Sequence, residues 1–111
     1  MNKKLCVSRR ITGIDGRLDY YLTESRYEDK DDKISGLVFG VEIHKILFNK
    51  EKDEQILKSS VDDLSTEKSH VVEFIYMLSD MEAMPESLED IAADFIGDDF
   101  FINFNIREKS A

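Results

Sequence analysis

The chain changes its hydrophobic period once, and that change limits what it can fold into. In GLVFGVEIHKILF (36–48), Leu37, Phe39, Val41 and Ile43 alternate with Gly36, Val38, Gly40 and Glu42. A two-residue period is that of a strand with one buried face. Further on, Val71, Phe74, Ile75, Leu78 and Met81 fall at i, i+3, i+4, i+7 spacing, the stripe of a helix. Strands followed by helices, without alternation of the two, describe an α+β domain.

The rest of the chain fills in that outline. Residues 4–11 and 17–27 predict two strands joined through Asp15-Gly16, a dipeptide suited to a type I′ hairpin turn. In the second, Leu18, Tyr20 and Leu22 share one face. EDKDDK (28–33) and NKEKDE (49–54) read as polar loops, and QILKSSV (55–61) as a fourth strand. The expectation is an antiparallel four-stranded meander, β-hairpin first, packed by two C-terminal helices. The two glycines of 36–48 mark a bulge or close packing of a helix on that face. The first helix starts near Ser65-Thr66, both good caps, and runs to about Met81. The second spans 85–97, with Pro85 in its first turn, Ser87 and Asp90 in a capping arrangement, and Gly97 at its end. Leu88, Ile91, Ala92 and Phe95 form its apolar stripe. FFINFNI (100–106) alternates like an extra C-terminal strand, an extended arm or a segment pairing with another chain. All 111 residues then form a single domain, with strands over 1–64, helices over 65–97 and a tail or extra strand over 98–111.

Charge is distributed unevenly. Fifteen basic and 24 acidic residues give −9, yet residues 1–27 carry six basic against three acidic side chains. Between Lys68 and Arg107 no Lys or Arg occurs, while nine carboxylates accumulate. Such a field repels nucleic acid and acidic membranes and favours basic partners, although it also serves solubility alone. No apolar stretch approaches the roughly 20 residues of a membrane span, and the basic start lacks the apolar run of a secretory signal. One cysteine, Cys6, makes no intramolecular disulfide and points to the cytoplasm.

Tyr20-Tyr21-Leu22, Gly40-Val41-Glu42-Ile43, the helix with Val71, Ile75 and Leu78, and Met84-Pro85-Glu86-Ser87-Leu88-Glu89-Asp90 together resemble a family of short bacterial proteins. That family is defined only as a domain of unknown function. The resemblance covers roughly residues 18–96. It departs at Met84, where the family carries threonine, and in the FFINFNI extension. It implies a bacterial cytoplasmic protein and supplies no activity, cofactor or site residue.

Signatures of chemistry are missing from the sequence. His44 and His70 have no partner at ligand spacing, one cysteine makes no structural zinc site, and DKDDKISG (29–36), with Asp29 and Asp31 at positions one and three but Lys33 at five and Ile34 in place of the glycine at six, is not an EF-hand loop. No glycine-rich phosphate loop and no nucleophile elbow is present. The expectation is therefore a non-enzymatic protein–protein interaction or regulatory module without cofactor or metal. Its candidate partner surface is Glu86, Glu89, Asp90, Asp94, Asp98, Asp99, Phe100, Phe101 and Phe104. The partner is another protein, with a homodimer through the C-terminal tail as a further option. The alternative reading is an acidic inhibitor, an immunity or phage anti-defence protein whose carboxylates imitate phosphates. Arg9, Arg10, Arg17 and Arg26 beside Tyr21 and Tyr27 resemble a single-strand binding face, but the −9 total opposes nucleic acid.

Overall fold

A computed structural model describes residues 2–29, 34–49 and 53–95. Strands β1 (Asn2–Arg10), β2 (Gly16–Asp29), β3 (Ile34–Phe48) and β4 (Asp53–Ser65) form one antiparallel sheet in the order β1-β2-β3-β4. Helix α1 (Lys68–Asp80), a 3-10 turn (Pro85–Ser87) and helix α2 (88–95) follow. The register sets Tyr20 opposite Ile43 and Leu22 opposite Val41. These side chains therefore share one face, and the helices cover it. Val71, Phe74, Ile75 and Leu78 of α1 and Leu88 and Ala92 of α2 are buried against that face. Phe95 stacks on Phe74 with ring centroids 4.2 Å apart. Each fully buried aliphatic side chain contributes about 1.5–3 kcal/mol, so this interface is the main source of cohesion.

Tyr20 is the one large polar side chain in the core, and it is fully buried. Its hydroxyl donates to the Ala83 carbonyl at 3.0 Å, with the Leu78 carbonyl 3.4 Å away. Ala83 lies in the turn just past α1, so the sheet supplies the donor for a carbonyl of the chain as it leaves the helix. Burial pushes the phenol well above its ordinary pKa, which keeps it a neutral donor.

The end of α1 is a Schellman turn: Ala83 N–H donates to Leu78 at 2.9 Å and Glu82 N–H to Ser79 at 3.0 Å. The residue at the left-handed position is Glu82, with φ of 52° where glycine is the usual occupant. Its carboxylate accepts from Thr12 N–H at 2.6 Å and from Thr12 Oγ1 at 2.8 Å. The latch offsets the backbone strain and ties the β1–β2 loop to the helical layer.

Several boundaries differ from the sequence reading, each for a physical reason. The β1–β2 connection is not an Asp15-Gly16 type I′ turn. It is a loop over 11–15 with its left-handed residue at Gly13 (φ 77°), and Gly16 already belongs to β2. The β2–β3 ladder continues to Asp29↔Ile34, into the stretch read as a polar loop. β4 runs on to Ser65, which pairs with Phe39 and so cannot start the helix. Ser65 Oγ instead accepts from Glu67 N–H at 3.0 Å, and α1 begins at Lys68. Met81 sits past the end of α1 and is 56% exposed, outside the buried stripe it was assigned to. The second helix is entered through the 3-10 turn with Met84 as its cap and no side-chain cap bond. Gly97 and the 100–106 strand lie outside the described residues.

Gly40 answers the bulge expectation from the opposite strand. Between Phe39↔Ser65 and Val41↔Val61 the register shifts, and extra residues of β4 crowd over Gly40. A Cβ there meets the Val61 carbonyl and lies 2.5 Å from Asp62 Cα. Both obstacles are backbone, so neither gives way cheaply. Gly40→Ala is expected to lower the unfolding free energy by about 1–3 kcal/mol, as overpacking against rigid neighbours does, read from urea denaturation. Tyr20→Phe removes one buried donor and is expected to cost about 1–3 kcal/mol. Glu82→Ala is expected to lower the melting temperature further than Glu82→Gly, since only the alanine retains the strained φ. Equal losses contradict that account of the turn.

Candidate interaction surface

The sheet has two unlike faces. The face away from the helices carries Lys3, Asp19, Tyr21, Thr23, Glu42 and His44; its charged groups pair within the chain, while Thr23 Oγ1 is buried without a hydrogen-bond partner. Lys3 Nζ donates to Glu42 Oε2 at 2.8 Å and His44 Nε2 donates to the same oxygen at 2.5 Å. The His44 ring lies 4.6 Å from that of Tyr21, and Lys3 Nζ sits 5.4 Å above the Tyr21 ring. Asp19 accepts from Ser8 Oγ at 2.6 Å and from Arg17 Nε at 3.1 Å. Arg10 pairs with Asp15 at 2.9 Å, and both Arg10 and Arg17 lie over Phe48. Of the four arginines that suggested a single-strand binding face, Arg10 and Arg17 thus have carboxylate and aromatic partners within the chain. Sequence reasoning missed the Lys3–Glu42–His44 cluster. The i, i+2 spacing of Glu42 and His44 on one strand was its available signal, but Lys3 comes from 39 residues away.

Burial of Glu42 acts to raise its carboxyl pKa, yet the hydrogen bonds from Lys3 and His44 outweigh it and leave the group below its ordinary 4.5. The bond to Glu42 likewise raises Lys3 above its ordinary value.

The helical layer is different in kind. From residue 69 to residue 95 it carries seven carboxylates and no Lys or Arg. Glu86, Glu89, Asp90 and Asp94 are all exposed, as are Glu73 and Asp80 of α1. The structure therefore places four of the candidate residues together on the outside of the second helical segment. Asp98, Asp99, Phe100, Phe101 and Phe104 lie outside the described residues. Beside Glu89 an open groove of about 660 Å³ runs between α2 and the β4 bulge, with Asp62, Asp63, Ser25 and Ser60 among its polar lining and Val38, Val61, Ala92 and Ala93 its apolar one. Asp62 Oδ1 there is shielded from solvent without a hydrogen-bond partner. Among the described residues no group of three or more His, Cys, Asp or Glu side chains is placed to hold a metal ion. No helix among them is long and apolar enough to cross a membrane. Cys6 lies at the β1 bulge, half-buried against the core, and is a free thiol.

A model of a family of unknown function, DUF6514, matches residues 2–98 of the 111. The chain belongs to DUF6514. The match takes in β1 as well as the segments from Tyr20 to Asp90 that carry the resemblance, so the family unit is the whole sheet with its helical cover. No curated protein and no solved structure matches this DUF6514 chain.

The depressed Glu42 carboxyl has a pH consequence. Its stabilisation is fully present above about 4.5 and is lost as the pH falls through its lower folded value. Wild type is therefore expected to lose melting temperature on acidification below about pH 4.5, and Glu42→Gln to start less stable at neutral pH with a shallower acid limb. Parallel limbs for the two proteins in a pH series of thermal melts contradict the assignment.

Proposed function

We propose that this chain is a non-enzymatic interaction module that holds a basic partner protein on its helical layer. One observation carries the reading: six exposed carboxylates, Glu73, Asp80, Glu86, Glu89, Asp90 and Asp94, lie on two successive helices without one Lys or Arg among residues 69–95. Opposite potentials across an interface speed encounter and reject like-charged competitors. The acid–imidazole pair of Glu42 and His44 supports a structural role over a catalytic one, since Lys3 and His44 both spend their donors on the same carboxylate oxygen. On this reading the protein works in a bacterial cytoplasm, where Cys6 remains a thiol.

A second reading rests on the same uncompensated carboxylates: an acidic inhibitor that occupies the nucleic-acid groove of a basic enzyme. The two separate by salt. A contact made of charge alone weakens steeply as ionic strength rises, while one with an apolar centre persists.

The test is affinity capture from host extract with wild type and a Glu86→Lys/Glu89→Lys/Asp90→Lys variant, eluted by rising salt. The expected outcome is a partner that the variant no longer holds. A partner retained equally by the variant removes the acidic layer from the account.

A further inference from the structure

Helix α1 buries one apolar stripe and leaves two further large apolar side chains, Tyr76 and Met77, exposed. Val71, Phe74, Ile75 and Leu78 are buried against the sheet. Two residues onward along the helix, about 200° round it at about 100° per residue, Glu73, Tyr76, Met77 and Asp80 occupy the opposite side. Tyr76 is 50% exposed, Met77 43% and Met81 56%. A helix that covers a sheet ordinarily turns a polar face outward. Here one aromatic and two thioether side chains stand in water within two turns, with a carboxylate to either side.

We propose that the outward face of α1 is the docking face for a cationic amphipathic segment of another protein, with Tyr76 and Met77 as its apolar contacts, Met81 extending them just past the helix end, and Glu73 and Asp80 as its flanking anions. The proposal rests on the reading of the helical layer as a binding surface and adds where the contact is centred and what the partner carries. Methionine is unbranched and polarizable, and it moulds itself to varied apolar surfaces. Tyrosine supplies a large contact at low entropic cost and is enriched among residues that dominate binding energy. A partner's arginine pairs with Glu73 or Asp80 and also lies favourably over the Tyr76 ring. An anionic partner gains nothing there, because residues 69–95 hold no Lys or Arg. A second copy of the chain is disfavoured as occupant, since it brings another net −9 and an acidic face of its own.

The test titrates the full chain with three synthetic probes by calorimetry and by NMR. The first is a Leu/Lys peptide with leucine at i, i+3, i+4 and i+7. The second has the same composition with the leucines scattered, and the third is oligolysine. The expected result is a roughly tenfold tighter Kd for the amphipathic peptide than for its scramble, about the contribution of one anchor side chain, with shift changes centred on α1. A Tyr76→Ser/Met77→Ser/Met81→Ser variant, altered only at exposed positions, is expected to erase that preference while leaving oligolysine binding unchanged. Equal affinity for peptide and scramble overturns the docking face and leaves the acidic-surface reading intact. Failure of all three probes at low salt overturns both. A sedimentation mass of two chains that the variant reduces to one assigns the face to a second copy and overturns the proposed occupant.

Discussion

The inner face of the sheet buries the Tyr20 hydroxyl completely, and where that hydroxyl can be satisfied bears on how the helices lie. Tyr20 is fully buried, and leaving its O–H unpaired there costs about as much as losing a large contact. The carbonyl of Ala83, in the turn that leaves α1, accepts from it, so the hydroxyl is satisfied when the end of the helix rests over β2. That placement fixes which side of α1 faces the sheet and, through the turn at Glu82, where the chain sets out toward α2. The outward arrangement of carboxylates is a consequence of it. With the buried stripe held down at Tyr20, Tyr76 and Met77 of the same helix have nowhere to go but outward.

What was legible in the sequence was periodicity. The alternation in 36–48 and the 3.6-residue spacing from Val71 identified the sheet, its buried face and the first helix. The positions of Leu88, Ile91, Ala92 and Phe95 identified the second. Boundaries were less legible, because they depend on pairing partners that a single stretch does not reveal. Ser65 has every local feature of a helix cap, but Phe39 across the ladder claims its backbone. Asp15-Gly16 has the composition of a tight turn, but β1 ends at Arg10, which pairs with Arg17, and the left-handed position falls to Gly13. Met81 fits the apolar spacing of α1, but the helix ends before it. In each case a long-range contact displaced a sound local preference.

The candidate surface was legible in its charge and only partly in its shape. Glu86, Glu89, Asp90 and Asp94 emerge on one exposed side as their spacing implied. The exposed Tyr76 and Met77 gave no such signal, since an apolar residue on a helix reads as core until the register of that helix is known. The polar cluster on the far side of the sheet was invisible for a different reason. Lys3 and Glu42 meet only because β1 and β3 flank the same central strand.

The Glu82–Thr12 latch also bears on the order in which the chain matures. A ribosome delivers β1 and β2 first, and a hairpin of that kind needs no later residue to begin pairing. Its loop nevertheless finds its anchor only at a carboxylate 70 positions downstream, and Tyr20 finds its acceptor 63 positions downstream. Until the end of α1 has left the exit tunnel, the nascent sheet carries an open apolar face and a loop without its tether. Such a species is prone to misassociate during synthesis. Truncation anywhere before residue 83 would leave the chain permanently in that half-finished condition. The two polar tethers of the hairpin are therefore registered at a single turn, where the carbonyl and the carboxylate they require arrive one residue apart.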